Sequence, residues 1–146
     1  MEQIKWPFLK QTWGIEFESS KGAYLYTKDG RKILDAAGGA IVNNIGYGRE
    51  EVAEAISKAV INNSYILPPF LTPEREALLD ELRNHWLPAH LTRIHLSSGG
   101  SEANESAVKL AIQYQASRGK PEKNIILTRS LSYHGTTLNM SGISGH

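Results

Sequence analysis

Residues 94–110, IHLSSGGSEANESAVKL, pass without a gap from an apolar run, through a turn of serines and glycines, into a helix. Few folds accept that junction. Adjacent Gly99 and Gly100 allow the backbone a close approach to a ligand. The new helix offers unpaired N–H groups and the positive end of its dipole to an anion. Ser101 adds a hydroxyl at the same place. Spacing alone leaves two readings equally open, a phosphate seat and an ordinary tight turn capped by serine. After the next apolar run, Ile125, Ile126 and Leu127, comes Ser132-Tyr133-His134-Gly135, an aromatic ring on a turn. A phosphate seat and a stacking ring at neighbouring strand ends would suit a flat, phosphorylated heteroaromatic group.

Periodicity supplies the frame around that junction. Residues 23–27 and 32–35 flank Lys28-Asp29-Gly30-Arg31 and read as a β-hairpin, because Asp-Gly supports the positive φ that such a turn needs. Residues 49–62 read as a helix with Val52, Ile56, Ala59 and Val60 on its buried face. A second helix opens at Thr72-Pro73-Glu74, with Thr72 as cap and Leu78, Leu82 and Trp86 as its buried stripe; Pro88 ends it. Leu67-Pro68-Pro69-Phe70 between them is expected to be an extended, stiff connector. The third helix, residues 101–117, should bury Ala103, Ala107, Leu110, Ala111 and Tyr114 before Gly119 and Pro121 stop it. Helix, helix, strand, helix, strand predicts an α/β domain with a largely parallel sheet, where ligands sit beyond the carboxyl ends of the strands. Residues 1–21 carry Trp6, Phe8, Trp13 and Phe17 without periodicity and read as an arm that packs on another surface.

The combination of GGSEANE at 99–105, YHG at 133–135 and LDAAGGAIVNNIGYGRE at 34–50 resembles the class III aminotransferases, pyridoxal-phosphate enzymes of fold type I. The resemblance runs over residues 22–146. It implies an incomplete fold of that type: residues 1–45 as the arm and β-hairpin of the small domain, residues 46–146 as the truncated first part of the large domain. It implies pyridoxal 5′-phosphate as cofactor, with Gly100 and Ser101 on the phosphate and Tyr133 over the ring. It also implies exchange of an amino group between an amine or amino acid and a 2-oxo acid, both small molecules, by a ping-pong scheme, in a homodimer whose arms rim the active site. Same-family alternatives are an aminomutase, an epimerase or a decarboxylase. A non-catalytic fragment is the alternative from another class.

The departures from the family pattern are specific. Many members carry Ser where Gly99 stands, which removes one donor and leaves the backbone cradle. Where members acting on bulky amines present aromatic side chains, this chain has Ala40 and Ile41, so substrate size stays open. The family's cofactor-binding lysine and its pyridine-nitrogen aspartate match nothing in residues 1–146. Lys109 and Lys123 stand at other positions, so no catalytic residue is assigned. The resemblance leaves His134 open between orienting Tyr133 or a water and filling space. Glu102 and Glu105 look like acid–base groups, but acidic residues in a first helical turn favour the dipole and should point away from a phosphate.

Composition excludes other classes. A net charge of +1 argues against a dedicated nucleic-acid surface. No apolar run approaches the about 18 residues of a membrane span, and the start lacks a signal-peptide layout. There is no cysteine, so no disulfide framework or thiolate chemistry, and a cytoplasmic home is expected. His85, His90 and His95 are scattered among leucines and prolines, and neither HExxH nor a Cys/His cluster exists, so no metal is expected. No Gly-Lys-Ser/Thr follows the glycines, so the Walker pattern fails. Three Asn-X-Ser matches are chance in a chain without a signal peptide.

Overall fold

The computed structural model describes residues 14–145. The expectation for the arm at Trp6, Phe8 and Trp13 lies outside the described residues. The chain divides into two compact units, Met1–Glu76 and Ala77–His146.

The first unit is built on a three-stranded antiparallel sheet in the order β1 (Phe17–Lys21), β2 (Tyr24–Thr27), β3 (Lys32–Leu34). The expected hairpin is β2–β3, in register from Tyr24 opposite Leu34 to Tyr26 opposite Lys32. Gly30 takes φ +85 in the turn, and Thr27 is buried beneath it. The Arg31 guanidinium and the Thr27 hydroxyl on the Asp29 carboxylate hold its pKa down to about 2.

β1 is an element the sequence reading did not assign. FESSK shows no apolar alternation, and its Phe17 is about half exposed. The strand forms through its backbone ladder to β2, with a bulge between Phe17 and Ser19. A ladder of main-chain bonds leaves no trace in side-chain periodicity.

After β3 comes a single turn, α1 (Gly38–Ile41), and then α2 (Glu50–Asn62). Residues 67–70 are not extended as expected. They form a turn closed by the Phe70 N–H on the Leu67 carbonyl at 3.0 Å. The Arg75 guanidinium gathers the carbonyls of Ile66, Leu67, Pro68 and Phe70. Pro68 suits the second position of such a turn, and one cation satisfies several main-chain acceptors at once.

α3 (Pro73–Glu81) starts as read, with Thr72 Oγ1 accepting the Arg75 N–H at 3.3 Å. It runs into a π-helical turn, Leu82–Trp86, that stops before Pro88. In the second unit α4 (Gly100–Ser117) is the longest helix and packs against α5 (Leu138–Ile143). Met140 of α5 is the fully buried apolar side chain among the described residues.

Two expectations about packing are not met. Val52, Ile56 and Val60 on α2, Leu78 and Trp86 beyond it, and Leu110 and Tyr114 on α4 are all exposed. No residue of α2, α3 or α4 is buried. Residues 94–96 and 125–127 belong to no sheet among the described residues. Periodicity identifies the face a helix can bury and the run that can pair; burial and pairing need a neighbour.

Candidate functional site

α4 starts where the junction reading placed it. Gly99 is its N-cap residue, at φ −169 and ψ 167, a conformation open to any residue. A Cβ at Gly99 or Gly100 would meet nothing within 4 Å. Local sterics therefore do not demand these glycines; their effect is clear space over the helix start. No side chain caps α4, so its first-turn N–H groups remain for an outside acceptor. Glu102 bends back to accept the Ser98 N–H at 2.9 Å, so its carboxylate is engaged beside the helix start.

The Tyr133 turn is brought against the same helix start by a row of contacts along one α4 face. Ser101 Oγ accepts the Thr136 N–H at 3.0 Å. A serine hydroxyl has one hydrogen and two lone pairs, so this bond leaves its hydrogen free to donate outward. Asn104 Nδ2 donates to the His134 carbonyl at 2.7 Å. Glu105 accepts the Thr137 hydroxyl at 2.6 Å and the Asn139 amide at 3.0 Å. Positions 101, 104 and 105 share a face because three and four residues make about one helical turn.

Gly135 makes the approach possible. Its φ is +144, and a Cβ there would stand 2.5 Å from Ser101 Oγ and 2.9 Å from Ser101 Cα. Here glycine is required both by backbone conformation and by a backbone neighbour. Tyr133, just before, is mostly exposed, at 66%.

His134 is held at several points. Its N–H donates to Ser144 Oγ at 3.0 Å, and Ser144 in turn donates to the Met140 carbonyl at 2.7 Å. Its Nε2 lies 3.1 Å from Ser132 Oγ. Ser132 gives its hydroxyl hydrogen to the Arg129 carbonyl at 2.5 Å, so toward the imidazole it can only accept. That fixes the proton on Nε2 and gives His134 a place in the turn's framework.

Glu105 departs from its expected role as a dipole partner. It lies past the first turn of α4, and the Thr137 and Asn139 side chains hold its carboxyl below the usual carboxylate range. The motifs contain Asn104, Glu105 and Gly135, but the sequence assigns none of them a contact at this junction, and it does not single out Thr136. The i, i+3, i+4 spacing from Ser101 was the available signal for the first two.

The first unit has its own polar centre. Asp35 accepts the Ala37 N–H at 3.1 Å, the Gly39 N–H at 2.7 Å and the Tyr47 hydroxyl at 2.7 Å. The Tyr47 bond leads the causes that lower the Asp35 carboxyl, and the Asp35 bond leads those that raise the Tyr47 phenol. Tyr47 is also pinned by its backbone, which exchanges two bonds with Gly22 at 2.8 and 2.9 Å. Between them α1 runs left-handed, with φ 54, 60, 62 and 71 from Gly38 through Ile41. Ala40 and the exposed Ile41 are strained there. Ile41 lines a cavity of about 550 Å³ with Asp35, Asn43 and Tyr47. No group of three or more His, Cys, Asp or Glu able to hold a metal occurs among the described residues.

A family model described as aminotransferase class-III matches residues 10–146. A "probable aminotransferase" of Mycobacterium tuberculosis is 38% identical over 125 residues, 85% of this chain and 27% of that protein. A vanillin aminotransferase of Capsicum frutescens is 33% identical over 134 residues, 90% of this chain and 29% of the relative. Among solved structures, an adenosylmethionine-8-amino-7-oxononanoate aminotransferase from Methanocaldococcus jannaschii superposes with a TM-score of 0.88 at 29% identity. That match covers 99% of this chain and 34% of the other. The chain thus spans about a third or less of the length of each.

Proposed function

The chain belongs to the class III aminotransferases, with the fold type I architecture of its structural neighbours, and from that premise we propose that Gly100, Ser101 and Tyr133 form the cofactor-holding part of a pyridoxal-phosphate transaminase. The observation that carries the reading is Ser101. One of its two lone pairs accepts the Thr136 N–H, and its hydrogen is free at an uncapped helix start with open space above Gly99 and Gly100. That donor set fits a phosphate: main-chain N–H groups, a hydroxyl and a helix dipole.

In this reading Gly100 and Ser101 bind the phosphate, and Tyr133 offers the ring a stacking face. Pyridoxal phosphate, when bound, supplies the electron sink for moving an amino group from an amine or amino acid to a 2-oxo acid. The chain's own residues bind and orient it. Exchange by a ping-pong scheme, a homodimer and a cytoplasmic location belong to the same proposal. So does a division into an arm and hairpin at 1–45 and the first part of a cofactor domain at 46–146. No helix of the described residues is long and apolar enough to cross a membrane.

No lysine of residues 1–146 stands at the family's cofactor-bonding position. A polypeptide of these residues alone is therefore expected to transfer no amino group. Borohydride reduction in the presence of pyridoxal phosphate should label scattered surface lysines only. Turnover of an amino donor with pyruvate or 2-oxoglutarate by that polypeptide would overturn this expectation.

In the protein that carries this chain, Ser101→Ala should weaken pyridoxal-phosphate binding by roughly 1.5–3 kcal/mol, the range for a hydrogen bond to a charged group. Tyr133→Ala should impair cofactor retention more than thermal stability. Unchanged affinity in both variants, measured by fluorescence titration, would remove the cofactor reading.

A further inference from the structure

Glu105 stands on α4 one turn beyond Ser101, outside the residues that would touch a ligand at the helix start. Its two carboxylate oxygens take separate donors, the Thr137 hydroxyl on one and the Asn139 side-chain amide on the other. Thr137 is the N-cap residue of α5, yet its side chain makes no cap bond there. It gives its hydroxyl to Glu105 instead, and that carboxylate also faces the Asn139 and Met140 backbone N–H groups. A carboxylate from one helix thus serves the start of another, where negative charge and acceptor oxygens are both favoured. Met140, the next residue of α5, is the fully buried apolar side chain of the described residues, so the tie holds a packed element.

Residues 133–136 are suspended between these anchors. Downstream are the Glu105 bonds to Thr137 and Asn139. Upstream is the segment at Ser132, whose carbonyl accepts the Gly145 N–H at 2.9 Å. Along the span, Thr136 meets Ser101, and the His134 carbonyl meets Asn104. The Thr136 bond orients the Ser101 hydroxyl, so whatever fixes Thr136 fixes where that hydrogen points.

We infer that Glu105 is a positioning residue: by holding Thr137 and the start of α5 against α4, it sets both the outward direction of the Ser101 hydroxyl and the placement of the Tyr133 turn beside the α4 start. The inference rests on the reading of Gly100, Ser101 and Tyr133 as cofactor contacts, and its local half is testable without a cofactor. Asn104 and Ser101 make single contacts to the span, whereas Glu105 binds both the cap residue and the helix that follows.

The test compares wild type, Glu105→Ala and Glu105→Gln in the protein that carries this chain, with pyridoxal phosphate as the probe. Glu105→Ala should lower affinity about tenfold, the order expected when charge-assisted hydrogen bonds are lost. It should also diminish the circular dichroism that an asymmetric site induces in the cofactor's absorption band. Glu105→Gln keeps an acceptor for Thr137 and should recover most of both signals, which a purely electrostatic influence of the carboxylate would not allow. Amide exchange at neutral pH gives the cofactor-free readout: Thr136 and Met140 should exchange faster in Glu105→Ala, with α2 unchanged. If Glu105→Ala fails to fold, Thr137→Val with Asn139→Ala removes the donors and leaves the carboxylate; the same losses are expected. Wild-type exchange at Thr136, or wild-type affinity and dichroism, in Glu105→Ala, or in the double variant where Glu105→Ala fails to fold, overturns the inference. Absence of cofactor binding by wild type, with faster exchange at Thr136 in the variant, would instead overturn the proposed function and keep the tie.

Discussion

Asp35 and Glu105 each collect several donors on one carboxylate, and the two centres do opposite things with the same chemistry. Asp35 takes mainly local main-chain donors, from Ala37 and Gly39, plus the Tyr47 hydroxyl. Beside it the chain turns left-handed through Ala40 and Ile41, which costs energy for residues with a Cβ. Glu105 takes side-chain donors 32 and 34 residues away, and no positive φ occurs between Gly100 and Ser117. The first centre holds a strained local shape; the second joins α4 and α5, whose own residues carry no positive φ. Breaking a local clamp releases strain that offsets part of the loss. Breaking a non-local tie has no such offset, so its neighbourhood should be the more sensitive.

The largest effect is expected at Gly135→Ala, in the second unit. The new Cβ would stand within 3 Å of Ser101 side-chain and backbone atoms, at a φ that disfavours any side chain. Overpacking and backbone strain together should destabilise this unit by roughly 2–5 kcal/mol. The Thr136–Ser101 bond should be lost with it. Thermal or denaturant unfolding checks the stability, and cofactor titration checks the consequence. A variant of wild-type stability would mean that the turn and the helix start are not in contact.

The first centre should answer a comparable change with the opposite sign. Ile41→Gly places glycine where φ is 71, and relief of left-handed strain should contribute about 1 kcal/mol, partly offset by glycine's greater freedom when unfolded. In that background Tyr47→Phe should cost more than it does in wild type, because less strain is left to be released when the Asp35–Tyr47 bond breaks. A double-mutant cycle measures this directly. Additive effects would show that the hydroxyl bond and the strained turn are independent, and the contrast between the centres would lose its basis.

The same contrast governs what could be read in the sequence. The β2–β3 hairpin, α2, the Thr72 cap and the α4 start at Gly100 were legible because each is decided within a few residues by turn chemistry, capping and period. β1 was not, since FESSK pairs through its backbone and shows no apolar alternation. Residues 94–96 and 125–127 have the composition of strands but no paired neighbour among the described residues. At the site, Gly100, Ser101 and Tyr133 were picked out, and Ser101 does meet the turn that carries Tyr133. Gly135 was noted only as part of a motif. Its need for glycine comes from Ser101, a residue far away in sequence. Glu105 was read through the helix dipole because its partners, Thr137 and Asn139, lie beyond any local window.

The smallest effects, and the ones that separate the centres most cleanly, come from pH. Asp35 and Glu105 both have folded-state carboxyl pKa values below their ordinary ones. Each contributes stability that is present above its unfolded pKa, 3.8 or 4.5. That contribution fades as pH falls through the lower folded value, so both centres weaken in acid. Tyr47 has the reverse sign: its phenol is raised from 10.0 by the Asp35 bond. Its contribution is complete below 10.0 and is lost as pH rises through the folded value. An alkaline limb therefore belongs to the Asp35 centre, and the Glu105 tie, formed with a hydroxyl and an amide, has an acid limb only. Carbon-13 shifts of the Ile41 and Thr137 methyl groups report the two places separately. Ile41 should show an acid and an alkaline step, with Tyr47→Phe abolishing the alkaline one. Thr137 should show an acid step that Glu105→Gln removes. An alkaline step at Thr137 that Glu105→Gln removes would mean that a group titrating in base shares the tie, against the hydroxyl and amide donors that form it.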